Sequence, residues 1–119
     1  MMNSEQLTGL VTEALDNLKG QDITVLDVAD KTSIADVMVI ATGTSDRHVG
    51  ALANEIVVTA KEAGEQPLGV EGEMKSDWVL VDLGDVIVHI MTQKARDFYE
   101  LEKLWSVRPN DQKSDLAEA

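Results

Sequence analysis

The segment from Trp78 to Met91 constrains the fold more than any other part of the chain. Two apolar runs, Trp78 to Leu83 and Val86 to Met91, are separated only by Gly84-Asp85. So short a connection makes an antiparallel hairpin, and a glycine first in the loop supplies the positive φ that a type II′ turn requires. The turn fixes the register: Leu83 faces Val86, Val81 faces Val88, and Val79 faces Ile90. Side chains alternate along a strand, so these six aliphatic groups share one face, and that face is core. The other face pairs Trp78 with Met91, Leu80 with His89 and Asp82 with Ile87. Polar and apolar groups mix there, with a tryptophan at one end. Helices packed only on the aliphatic face would leave this second face partly open.

Helical periodicity accounts for most of the rest. Leu7, Leu10, Val11, Ala14, Leu15 and Leu18 recur at spacings of three and four, the signature of one helix face. Asn3 or Ser4 can cap its start, and Gly20 stands where a left-handed C-terminal cap belongs. Val49, Leu52, Ala53, Ile56, Val57, Ala60 and Ala63 repeat the pattern, with Thr44, Ser45 or Asp46 as N-cap and Gly64 at the end. Ala95, Phe98, Leu101, Glu102 and Trp105 predict a third helix, widened by Tyr99 and Leu104, capped by Thr92 and ending before Pro109. Between the helices, Ile23 to Val28 is rich in β-branched residues. Val37-Met38-Val39-Ile40-Ala41 is a continuous apolar run that suits a strand covered on both faces. Glu65 to Val70 contains Pro67 and can be at most a short edge strand. The order helix, strand, strand, helix, short strand, hairpin, helix predicts one α/β domain, a mixed sheet with packed helices. Residues 1–105 form that domain, and the polar segment 106–119 is expected to be a flexible tail.

Composition narrows the function. At 119 residues the chain has room for one core. It has no cysteine, which excludes disulfides, thiolate metal sites and a cysteine nucleophile. No apolar run approaches the roughly 20 residues of a membrane span, and Met1 to Gln6 lack the features of a secretory signal, so a cytoplasmic location is expected. The net charge is −12, which repels phosphate backbones and anionic membranes. Only four aromatics are present, Trp78, Phe98, Tyr99 and Trp105, too few for a base-stacking platform. Little direct nucleic-acid contact is expected, and a basic protein is the better-matched partner.

Four places could carry chemistry. The stretch Ala41-Thr42-Gly43-Thr44-Ser45-Asp46-Arg47-His48 precedes a helix, where backbone N–H groups can hold an anion. It lacks a Walker lysine and the further glycines of a dinucleotide fingerprint, so a strand-to-helix turn with a capping hydroxyl is the favoured reading. Glu71-Gly72-Glu73 with Asp77 offers hard oxygen ligands but not the spacing of a calcium loop, and a solvated acidic loop is the commoner arrangement. Asp82 and His89 are diagonal neighbours on the second hairpin face, within mutual reach. A carboxylate orienting a histidine is half of a hydrolase triad, yet no serine here sits in a nucleophile elbow, so a structural or interface ion pair is expected. His48 reads as a first-turn helix residue, and two histidines without cysteine make zinc a poor fit. Trp78 divides between core and interface, because tryptophan is enriched at the energetic centres of protein interfaces.

Several runs together resemble the ribosomal silencing factor family, also called Iojap-like. They are Gly20-Gln21-Asp22, Ala41-Thr42-Gly43-Thr44-Ser45 with Arg47-His48-Val49, and Pro67-Leu68-Gly69-Val70-Glu71-Gly72-Glu73. The run from Asp77 to His89 and the run from Phe98 to Trp105 complete the set, which spans about Leu7 to Trp105. Many relatives carry aromatics after the aspartate equivalent to Asp36, where this chain has Val37 and Met38.

The resemblance implies a fold related to nucleotidyltransferases without their activity, and no cofactor. It implies binding to the fourteenth protein of the large ribosomal subunit, steric exclusion of the small subunit, and repression of translation when nutrients are scarce. It maps the contact region onto the hairpin, which makes Trp78, Leu80, Asp82, His89 and Met91 candidate partner-binding residues, with Tyr99 and Lys103 from the neighbouring helix. An enzyme reading would need two aspartates at i and i+2 on one strand to hold magnesium, whereas Asp82 is followed by Leu83 and Gly84. A third reading is a self-associating scaffold, in which an exposed Trp78 face supports a homodimer.

Overall fold

The hairpin closes in the predicted register, with Trp78 opposite Met91, Val79 opposite Ile90, Leu80 opposite His89, Val81 opposite Val88 and Asp82 opposite Ile87. Gly84 has φ +91°, a conformation that side chains resist, and the Asp82 carboxylate accepts a hydrogen bond from its N–H at 2.9 Å. In this computed structural model, which describes residues 2–72 and 76–99, the elements follow the predicted order. They are α1 (Ser4–Asn17), β1 (Gln21–Asp27), β2 (Val37–Gly43), α2 (Asp46–Glu62), β3 (Gly69–Glu71), β4 (Trp78–Asp82), β5 (Val86–Thr92) and α3 (Gln93–Tyr99). Glu73 of the acidic loop, the expected helical residues Leu101, Glu102, Lys103, Leu104 and Trp105, and the segment 106–119 lie outside the described residues.

The strands form one mixed five-stranded sheet in the order β1-β2-β5-β4-β3. Among the described residues its only parallel pairing joins β2 to β5, and the other neighbours are antiparallel. The aliphatic hairpin face is core, as its pattern requires: Val79, Val81, Val86, Val88 and Ile90 are buried among Leu7, Val11 and Leu15 of α1 and Val49, Leu52 and Ile56 of α2. Each such side chain removed from water contributes roughly 1.5–3 kcal/mol. β2 is buried from Met38 to Gly43, in keeping with its unbroken apolar run.

The second face is less open than the hairpin pattern predicts, because α3 lies across part of it. Val28, Met38, Ile40, Met91 and Ala95 form a second buried cluster there, with Leu26 and Trp78 packed against it. Met91, expected on an accessible face, is therefore fully buried. The buried residues of α3 are Ala95 and Arg96, while Phe98, placed on the apolar stripe by its spacing, is 78% exposed.

Local chemistry explains the helix ends. Asn3 caps α1 in a reciprocal box with Gln6. At the other end Lys19, not Gly20, takes the left-handed conformation, with φ 61°. The Gly20 N–H donates to the Leu15 carbonyl and the Lys19 N–H to the Asp16 carbonyl, the two bonds of a Schellman motif. Ser45 caps α2 by accepting from the His48 N–H at 3.1 Å. Gly43 is required just before it, since a Cβ there would stand 2.8 Å from Val49 Cγ2 and 2.9 Å from the Val49 nitrogen.

Candidate interaction surface

Trp78 opens β4 at the end of the sheet that α3 covers, half-buried and flanked by two rings. On β5, the His89 ring centroid is 5.5 Å away, and on α3 the Tyr99 ring centroid is 4.6 Å away at an interplanar angle of 49°. Phe98 meets Tyr99 edge-on at 5.0 Å. Aromatic pairs at these separations add about 0.5–1.5 kcal/mol each beyond area burial. Trp78, Ala95, Phe98 and Tyr99 border a groove of about 610 Å³ whose polar margin is Ser76, Asp77, Lys94 and Asp97. Two carboxylates and one amine therefore edge an aromatic floor. Further along β4, Leu80 and Asp82 are half-buried, with Leu80 opposite the exposed Glu71 of β3.

The predicted site residues thus divide. Trp78, His89 and Tyr99 come together in one aromatic cluster, and Leu80 and Asp82 continue the same sheet face toward the β3 edge. Met91 lies beneath α3 as core, and Lys103 is outside the described residues. The diagonal Asp82–His89 pair does not form. Asp82 is held by the turn at Gly84, and His89 Nδ1 accepts a hydrogen bond from Trp78 Nε1 at 2.9 Å. His89 is only 7% exposed, and burial lowers its pKa from 6.5 to about 4 by penalising the imidazolium. At neutral pH the ring is uncharged, with its proton on Nε2 because Nδ1 is the acceptor.

Other sequence candidates resolve into structure. The Thr44 N–H donates to His48 Nδ1 at 2.8 Å, and His48 Nε2 lies 2.7 Å from the Leu18 carbonyl, so this ring fastens the start of α2 to the end of α1. The Ser45 hydroxyl serves as the N-cap of α2. Among the described residues no three histidine or acidic side chains stand close enough to hold a metal ion.

Arg96 was not singled out by sequence reasoning. It is 6% exposed and donates to the Asp22 carbonyl at 2.7 Å, the Thr42 hydroxyl at 2.7 Å and the Thr24 hydroxyl at 2.9 Å. The pairing of β1 with β2 shifts register between Gln21 and Thr24, and Asp22 sits in that irregularity at φ 47°. Two threonines on adjacent strands facing α3 were the available signal, because buried hydroxyls need partners.

The profile of the family described as "Ribosomal silencing factor during starvation" matches residues 1–119. The chain belongs to the ribosomal silencing factor family. A ribosomal silencing factor of Haemophilus influenzae is 50% identical over 100 residues, covering 84% of this chain and 98% of that protein. A crystal structure of a Chromobacterium violaceum protein superposes with a TM-score of 0.86 at 46% identity, covering 90% of this chain and 89% of the other. The mouse protein named "Mitochondrial assembly of ribosomal large subunit protein 1" is 36% identical over 101 residues, covering 82% of this chain and 44% of its own length. These names describe regulators and assembly proteins of the ribosome, and translation regulation follows from the family name. Among the described residues no helix is long and apolar enough to cross a membrane.

Proposed function

We propose that this protein binds the large ribosomal subunit through the face carrying Trp78, at the fourteenth protein of that subunit, and blocks joining of the small subunit by steric exclusion. The observation that carries the reading is the aromatic pair Trp78 and Tyr99 in a groove edged by Asp77 and Asp97. Aromatic groups at the centre with a charged margin is the anatomy of a docking site, and acidic margins match a basic ribosomal protein. Trp78, Leu80, Asp82 and Tyr99 are the contacting residues in this reading. Buried His89 and Met91 act from beneath. The mouse relative's association with large-subunit assembly supports the choice of subunit. The mechanism is occupancy, so it needs no bond-making step and no cofactor. Repression under nutrient limitation is the physiological outcome of such a block.

The test is cosedimentation with separated subunits, followed by subunit joining in the presence of a titration of the protein. Enrichment with large subunits and fewer joined ribosomes is the expected result. Unchanged joining at saturating protein would sink the reading. Exposure of Phe98 at 78% and Tyr99 at 51% favours a second use of the same face, a homodimer of the free protein that competes with ribosome binding. Sedimentation at rising concentration checks it, and a strictly monomeric free protein would remove it.

A further inference from the structure

Trp78 is the only tryptophan among the described residues, and its indole N–H is not free for a partner. The donor is taken by His89 Nδ1 at 2.9 Å, from the next strand and from a residue that is 7% exposed. An indole at an interface usually contributes both its ring and its donor, and the two uses call for different partner chemistry. Here the donor points back into the protein, and Tyr99 meets the ring at 4.6 Å.

We propose that His89 is a positioning residue for docking: by accepting the Trp78 N–H it fixes the indole in one orientation and leaves the partner an apolar ring instead of a hydrogen-bond donor. This deepens the ribosome-binding reading and rests on it. The partner then meets Trp78 with aliphatic or planar side-chain groups, and its polar contacts fall on Asp77 and Asp97 at the groove margin. Fixing the ring before contact removes a rotamer freedom that association would otherwise have to remove. His89 is well suited because it lies inside the sheet, opposite Leu80 of β4 and Ile40 of β2, and is 7% exposed, and close packing of this kind restricts a side chain's rotamers.

Two measurements on the full chain test the proposal. In 15N-labelled wild-type protein at neutral pH, a nitrogen–nitrogen coupling through the hydrogen bond should connect Trp78 Nε1 with His89 Nδ1, and its absence overturns the pairing. For docking, purified large ribosomal subunits serve as the probe. In His89→Asn the amide oxygen occupies the place of Nδ1, so affinity should stay close to wild type, while His89→Leu offers no acceptor and should lose about tenfold. Should His89→Leu fail to fold, His89→Gln takes its place with the same loss expected, because its amide reaches past the Nδ1 position. Wild-type affinity in folded His89→Leu, or in His89→Gln where it takes that place, would overturn the positioning role. If the wild-type protein does not bind large subunits, the docking half falls together with the reading beneath it. The coupling measurement then decides the pairing separately.

Discussion

Arg96 of α3 donates to the Thr42 hydroxyl of β2 at 2.7 Å, joining residues 54 positions apart in a buried bond. The same guanidinium reaches Thr24 and the Asp22 carbonyl on β1, so one side chain links a helix to two strands. Of the seven α3 residues described, only Ala95 and Arg96 are buried, and this polar hub therefore does much of what an apolar stripe does for α1 and α2.

Replacing Arg96 by Met keeps the length but leaves the Thr42 and Thr24 hydroxyls and the Asp22 carbonyl without this donor. Stability should fall by about 3 kcal/mol, and Arg96→Lys should recover only part, since an ammonium cannot reproduce the planar fork. Urea denaturation measures both. A loss below about 1 kcal/mol for Arg96→Met would assign the docking of α3 to Ala95 and Met91 instead.

Trp78→Ala should weaken large-subunit binding by more than about 2 kcal/mol, as expected of an aromatic anchor, while the domain still folds. Val81→Ala, on the opposite face, should cost about 2 kcal/mol of stability and leave the affinity of the folded fraction unchanged. The reverse pattern, an unfolded Trp78→Ala beside a harmless Val81→Ala, would mean that the two faces have been exchanged.

Stability should fall as pH drops from about 6.5 to about 4, the window set by His89. The unfolded chain protonates this ring near 6.5, whereas the folded chain resists until about 4, so the unfolded state binds more protons between the two. The full effect is roughly 3 kcal/mol at the acid end, and above pH 6.5 it vanishes. Comparing unfolding free energies of wild type and His89→Asn across this range isolates it. Equal slopes for the two proteins would remove His89 as the source.

Association with large subunits should slow as salt rises, because a net charge of −12 attracts a basic surface over distances that the Debye length, about 8 Å at physiological ionic strength, cuts short. Dissociation should depend less on salt, since the aromatic contacts are short-range. In Asp82→Asn, a local contact predicts faster dissociation, and a purely global field predicts almost no change. An association rate indifferent to salt would reduce the acidic surface to a solubilising role.

Most of the sheet was legible because its information is local. A two-residue loop and strict alternation of aliphatic side chains are enough to fix the hairpin register, and three-four spacing is enough to orient α1 and α2. The placement of α3 was not local. Its described segment is short, and the face it buries is chosen by Thr24, Thr42 and the irregular backbone at Asp22, which come together only in the folded sheet. The same limit applies to His89. Its pairing with Asp82 was a fair inference from strand geometry, but the turn at Gly84 holds the carboxylate, and the longer indole reaches the ring first. Gly20 misled for a smaller reason. A Cβ there would stand 3.0 Å from the Leu15 carbonyl oxygen, so its value lies in close approach, and the left-handed residue is its neighbour Lys19. Of the residues at the groove, Trp78 could be named from the hairpin and Tyr99 from the resemblance, whereas Asp97 on its margin and the burial of Met91 depended on where α3 lies.

The parallel pairing of β2 with β5 sets Val37 beside Val86 and Gly43 beside Thr92, so an early part of the chain waits for a late one. Synthesis releases β2 first, with β1 as its neighbour, and β5 and α3 follow only near the end. Until then Trp78 has no His89 beside it and no Tyr99 against its ring. The face proposed for docking thus comes into existence with the last described residues to emerge, and a half-made chain carries the tryptophan without the surface that would let it act on the ribosome producing it.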